Sequence, residues 1–277
     1  MNLDAPSESS SYDPEALGRS FRDEIERLAA QAQLSWRTEQ RRLAALGVVD
    51  GQRVLEPGCG PGIITERLAS WLPASAVVAL DHDPRMLGLA RDRLSRFGAR
   101  VSLHQAAAAT TGLPAHTFDV AISRYLFQHL PDPVAVAAEI RRVLRPGGFH
   151  VVIDIDDGLW GLCEPMMVEF AGWHRLRAKS QGARGGDRFR GRRLARILEA
   201  AGYARVELDV FAYHSDQVGV PAFAAQLAAD QFLPLLEQGL LTLEDYLRAQ
   251  ILVQRFQRSP DAFVLSIGFV AYGEVPR

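Results

Sequence analysis

The chain has 277 residues, 48% hydrophobic and 23% charged, with a formal net charge of −2. That length supports one substantial core plus an appended element, and the slightly acidic balance carries no basic footprint for nucleic acid. Two cysteines, Cys59 and Cys163, far apart and without paired spacing, exclude a disulfide framework or a cysteine zinc site and suit a reducing cytoplasm. No apolar run reaches membrane-spanning length, so no membrane insertion is expected.

The start, MNLDAPSESSSYDPEA, is acidic and serine-rich with neither a basic flank nor an apolar core, so it is no signal peptide, and residues 1–14 are expected to form a disordered tail. Residues 15–277 then form a single domain. Over 15–50 the apolar positions Leu17, Phe21, Ile25, Leu28, Leu34, Leu43 and Leu46 recur at roughly helical spacing until Gly47 ends the run. Residues 51–156 alternate short apolar strands with helices: strand 53–56, helix 62–72, strand 77–81, helix 84–97, strands 100–104 and 118–123, helix 133–144 and strand 149–155. Asp83-Pro84 supplies an N-cap and a first-turn proline for the second of these helices, and Gly98 its stop. Such alternation predicts a parallel sheet covered on both faces.

Beyond Asp154 the regularity breaks. Residues 156–186 are rich in glycine, aromatics and methionine (Trp160, Met166, Met167, Phe170, Trp173), then turn basic at Arg175, Arg177, Lys179 and Arg184. A helix over 191–201, a strand over 204–210, a helical stretch over 221–257 and a strand over 262–272 follow. Thr242 and Asp245 have capping-box spacing inside that stretch. The sum is an α/β, Rossmann-like, seven-stranded and mostly parallel sheet with helices on both faces and further helical insertions after the fifth and sixth strands.

The segment VLEPGCGPGIIT, Val54 to Thr65, says most about chemistry. Gly58, Gly60 and Gly62 let the backbone turn sharply and lie against a ligand at the carboxyl end of a strand. A dinucleotide fingerprint needs its third glycine where Ile63 stands, and Glu56 would repel a pyrophosphate from the helix terminus. That acid suits a cationic ligand instead. Asp81, closing the second strand, is placed to accept two ribose hydroxyls.

Four motifs in order, E-P-G-C-G-P-G at Glu56–Gly62, A-L-D-H-D-P at Ala79–Pro84, F-D-V-A at Phe118–Ala121 and L-R-P-G-G at Leu144–Gly148, resemble the class I S-adenosylmethionine-dependent methyltransferases. Within them the wording is most similar to the small-molecule branch that includes the quinone-biosynthesis C-methyltransferases. The resemblance covers roughly Arg53 to Asp154. It implies S-adenosyl-L-methionine as cofactor, held by Glu56, Gly58, Cys59, Gly60, Asp81, His82, Met86, Ala107, Ala108 and Arg124. It further implies lid elements at 157–190 and 213–258 that select a small, partly apolar acceptor in biosynthesis through Tyr125, Trp160, Met167, Trp173 and Tyr213. A homodimer is compatible with it, and no metal is implied. One family position departs: the acid that binds the adenine amino group is absent from Gln105–Thr111, which leaves backbone groups, Gln105 or a threonine hydroxyl for that role.

Methyl transfer from a sulfonium needs alignment above all. If the acceptor needs a general base, His129 and His214 are the candidates, both expected at the cavity mouth. Each has a plainer reading, His129 as support for the Leu130–Pro133 loop and His214 as a solvated loop residue. Cys59 reads as a small packing thiol, and the arginines from Arg184 to Arg196 as a solvated helix face or an anion site. Two other functions fit the same residues: a methyltransferase-like protein that binds the cofactor without transferring methyl, and, against Ile63 and Glu56, a nicotinamide reductase.

Overall fold

The computed structural model describes residues 11–12, 21–159 and 162–277. Helix α1 (Phe21–Ala45) carries Asp23 and Glu24 in its first turn and Arg42 in its last, charges that complement the helix dipole. The alternating core follows as β1 (Arg53–Pro57), α2 (Ile63–Trp71), β2 (Ala76–Asp81), α3 (Pro84–Leu94), β3 (Val101–Gln105), β4 (Phe118–Arg124), α4 (Pro133–Val143) and β5 (Leu144–Asp154). Asp83 and Asp132 cap α3 and α4, accepting from Arg85 N at 2.8 Å and Ala135 N at 2.9 Å, each followed by a proline whose missing N–H costs nothing at that position. The remainder is β6 (Leu162–Glu164), α5 (Val168–Gly182), α6 (Leu194–Ala200), β7 (Ala204–His214), three short helices α7 (Ser215–Val218), α8 (Ala224–Leu227) and α9 (Leu233–Glu237), then α10 (Leu243–Arg258) and β8 (Phe263–Glu274).

The strands form one sheet in the order β3-β2-β1-β4-β5-β8-β6, with β7 on the other edge of β8. Pairings among β1 to β5 are parallel, whereas β8 runs antiparallel to β5, β6 and β7. The sheet has eight strands rather than the expected seven, because three residues of the irregular segment pair with the start of β8. Strand parity divides the core: Val54, Val120 and Val151 pack on the face covered by α1, α2 and α5, while Leu55, Ala121 and Val152 pack on the face covered by α4 and α6. Both faces are therefore buried, as a parallel sheet requires.

Several boundaries differ from expectation. Helix α3 stops at Leu94 and tightens into a 3₁₀ segment to Arg100, where Gly98 sits at φ 58°. The stretch 221–257 is not continuous; Pro221, Pro234 and Gly239 divide it, and only α10 is long, started by the Thr242–Asp245 capping box. Helix α5 arises inside the segment expected to be irregular. Ser11 and Tyr12, placed in the disordered tail by composition, are packed: Ser11 is 5% exposed and donates its N–H to His129 O at 3.0 Å. No helix among the described residues is long and apolar enough to cross a membrane.

Candidate functional site

The strand order reverses between β2-β1 and β4-β5, and the crevice over the carboxyl ends of β1, β2 and β4 opens into a cavity of about 850 Å³. Its floor is the glycine loop. Gly58, at φ +75°, lies so close to Leu126 that a Cβ would stand 3.0 Å from its Cδ1, while Gly62, at φ +74°, would put a Cβ 2.9 Å from Leu94 and 3.1 Å from Ala90. The early third glycine thus serves the packing of α2 against α3. Gly60, at φ +53°, has nothing within 4 Å of its would-be Cβ, so the loop leaves a backbone cradle open to the cavity.

Two carboxyl groups face that cradle. Asp81, 8% exposed, accepts from Gly60 N at 2.7 Å and Asp83 N at 3.0 Å, with His82 Nδ1 at 3.4 Å. The Asp81 contact raises the His82 pKa. Glu56, 3% exposed, accepts from the Thr65 hydroxyl at 2.6 Å. Burial pushes its pKa up to about 8, against the opposing pull of Thr65 and the Arg124 charge. Cys59, Met86, Ala107 and Ala108 also line the cavity. The Cys59 thiol is pushed far up by burial and then by Glu56 and Asp81, which makes it a packing group. Of the candidates for adenine, Gln105 does not line the cavity, and the Thr111 hydroxyl is bonded to Glu139. The backbone of Ala106 to Thr110 and the Thr110 hydroxyl remain.

Arg124 lines the cavity and commits two of its donors to α1: Nε reaches Glu39 at 2.7 Å and Nη2 reaches Ser35 Oγ at 2.9 Å, with the guanidinium 4.1 Å over the Tyr125 ring. Its side chain fastens α1 across the cavity. Tyr125 is held at φ +53°, a strained conformation for a side chain of its kind and one that concentrates at functional positions. It shares a hydrogen bond with Tyr213, and both phenols are raised by burial. Both residues line the cavity.

The histidines separate cleanly. His129 lines the cavity, with Nδ1 3.3 Å from Ser11 Oγ and 3.3 Å from Gln181 Nε2 and its ring edge-on to Tyr12 at 5.1 Å. Burial, aided by Arg188, Arg27, Arg177 and Arg184, pushes its pKa down to about 3. His214 is off the cavity; its ring lies 5.7 Å from Phe263 and its Nδ1 is buried without a hydrogen bond. The reason is parity: β7 runs through His214, so Tyr213 and His214 point to opposite faces of the strand.

Met167 and Trp173 are also off the cavity. Trp173 packs in an aromatic cluster, 5.5 Å from Phe170 and 5.7 Å from Phe232, behind the lid, and Met167 is buried in the same core. Trp160 lies outside the described residues. The lid instead presents Arg177, Gln181, Arg184 and Arg188. Other lining residues were not anticipated. Tyr12 donates to Glu24 at 2.9 Å, and Arg27 grips the same carboxylate through two contacts of 2.7 Å. A signal existed in α1, where Glu24, Arg27, Gln31, Ser35 and Glu39 form one polar row at helical spacing, and Glu24, Ser35 and Glu39 are fully buried. No group of three or more metal-ligating side chains occurs among the described residues.

A glycine cradle at the switch point of a parallel sheet, with buried carboxyl groups closing its first two strands, defines a protein that holds a nucleoside-bearing ligand with a cationic end. The methyltransferase domain family matches residues 54–148. The chain is 31% identical over 236 residues to a trans-aconitate 2-methyltransferase of Methylobacterium radiotolerans, covering 80% of each chain. It is 35% identical over 99 residues to a ubiquinone biosynthesis O-methyltransferase of Aromatoleum aromaticum, a match that spans 35% of this chain and only 42% of that protein. A phosphoethanolamine N-methyltransferase of Haemonchus contortus, solved with S-adenosyl-L-methionine, shares the fold at a TM-score of 0.59 and 19% identity, over 95% of this chain and 60% of that one. The chain belongs to the class I S-adenosylmethionine-dependent methyltransferases.

Proposed function

We propose that this protein transfers a methyl group from S-adenosylmethionine to an oxygen, nitrogen or carbon of a small acceptor. The observation that carries the proposal is the pairing of an open cradle at Gly60 with two carboxyl groups, Asp81 and Glu56, at its sides. The residues fit the cofactor: Asp81 takes the ribose hydroxyls, Glu56 faces the amino-acid ammonium, and the backbone of Ala107 and Ala108 meets the adenine where the usual acid is missing. The bound cofactor supplies an electrophilic methyl group. The chain's own contribution is to align the acceptor with it and exclude water, and such alignment is worth roughly 7–11 kcal/mol in well-oriented systems.

Neither histidine expected as a base is a strong one: His214 is off the cavity, and burial holds the His129 pKa down. An imidazole held near pKa 3 is neutral at pH 7 but a poor proton acceptor, and its Nδ1 is already engaged by Gln181 and Ser11. His129 is therefore a positioning residue that ties the loop after β4 to α5. The test is transfer of labelled methyl from the cofactor to a panel of small acceptors, repeated with two variants. His214→Ala should keep turnover within about twofold. His129→Ala should lose less than the 10²–10⁴-fold that a general base supplies. A loss in that range, with cofactor affinity intact, would make His129 the base; absence of label transfer to any acceptor would leave a binding protein.

A further inference from the structure

The far half of the cavity, beneath α5, has a charge pattern that the cofactor does not explain. Arg177 and Gln181 stand one helical turn apart on α5, and Arg184 follows just past its end, all three lining the cavity. Gln181 is occupied: its amide nitrogen donates to Gln128 O at 3.0 Å and its oxygen accepts from Arg188. Arg188 in turn is paired with the buried Asp157, and Arg27 with Glu24. Arg177 is held by the Gln231 amide at 2.7 Å.

Arg184 differs. Its backbone N–H donates to Gln181 O at 3.0 Å, but its guanidinium makes no ion pair or hydrogen bond with the described residues, and its Nε is buried without a partner. The acids that line this half are committed elsewhere, Asp132 to the cap of α4, Asp156 to Arg192 and Asp157 to Arg188. Across the same space the side-chain oxygen of Gln226, another lining residue, is buried and unpaired. A buried guanidinium donor and a buried amide acceptor left open in one cavity cost free energy unless a ligand completes them. The excess positive charge extends to His129, whose imidazole is held neutral partly by Arg188, Arg27, Arg177 and Arg184.

We propose that the methyl acceptor is an anion, and that its carboxylate or phosphate is bound by Arg184 together with Arg177, with a hydroxyl or amine of the same molecule donating to Gln226. Guanidinium groups recognise both anions by charge-assisted, two-pronged hydrogen bonds, so geometry alone does not separate them. The proposal rests on the methyltransferase reading for the assignment of the near half of the cavity to the cofactor.

The experiment is calorimetric titration of the protein saturated with S-adenosylhomocysteine, using succinate, inorganic phosphate and the uncharged dimethyl succinate as probes. One of the two anions should bind at millimolar concentration and the diester should not; succinate alone marks a carboxylate site, phosphate alone a phosphate site. Arg184→Gln should weaken the anion at least tenfold while S-adenosylhomocysteine affinity stays within twofold, and Arg184→Lys should recover part of the loss. Binding of neither anion, equal binding of the diester, or an anion affinity unchanged in both Arg184→Gln and Arg177→Gln overturns the proposal. If S-adenosylhomocysteine itself fails to bind, the methyltransferase reading falls; Arg184-dependent binding of an anion to the ligand-free protein would then still stand on its own.

Discussion

Asp81→Ala is expected to weaken S-adenosylhomocysteine binding by about 10- to 150-fold, the equivalent of the 1.5–3 kcal/mol that hydrogen bonds to a charged group contribute. The carboxylate closes β2 with 8% exposure and holds the glycine loop in place through Gly60 N at 2.7 Å. The substitution therefore removes two acceptors for the ribose hydroxyls and also loosens the cradle beneath them. Folding should survive, because the side chain belongs to the cavity wall and the strands beside it keep their full ladder. Calorimetry beside a thermal melt separates the two effects. An unchanged affinity in a folded variant would remove Asp81 from the site.

Binding of S-adenosylhomocysteine at pH 7 should release close to one proton. In the free site Glu56 has its pKa raised to about 8, chiefly by burial, so it is largely protonated at neutral pH. An ammonium brought beside it favours the carboxylate, and the proton leaves. Affinity should then rise with pH by up to about tenfold per unit below pH 8 and level off above it, since one pKa unit corresponds to about 1.36 kcal/mol. The same group acts on the stability of the ligand-free protein. The folded chain holds a proton that the unfolded chain gives up at the ordinary carboxyl value, so this contribution is present at low pH and is lost as pH rises towards 8. Glu56→Gln should abolish the proton release and flatten the pH dependence of binding. Titration in buffers of different ionisation enthalpy counts the proton, and a count of zero at pH 7 would mean that Glu56 is ionised before the ligand arrives or does not face it.

The parts of the fold that were legible in the sequence are those written locally. The strand–glycine loop–helix unit, the Asp83 and Asp132 caps and the Thr242 capping box each depend on residues a few positions apart. Helix α5 was hidden because its buried stripe, Phe170, Trp173, His174, Ala178 and Gln181, mixes polar with apolar residues and so lacks a clean amphipathic period. Reading Met167 and Trp173 as cavity residues followed from their chemistry, but large apolar groups pack the lid from behind, and its long polar side chains reach the cavity. His214 was misplaced because the strand was ended at residue 210; carried to its observed end, alternation alone would have set Tyr213 inward and His214 outward. Ser11 and Tyr12 gave no local signal, since what orders them is contact with His129 and Glu24, far away in the chain or in a separate element.

The most direct test of the cofactor assignment is calorimetric titration of the purified protein with S-adenosylhomocysteine and, in parallel, with nicotinamide adenine dinucleotide. One equivalent of the former should bind and the latter show no comparable affinity, because the glycine spacing and Glu56 favour a cationic nucleoside ligand over a pyrophosphate. Binding of the dinucleotide alone would overturn the assignment of the cavity.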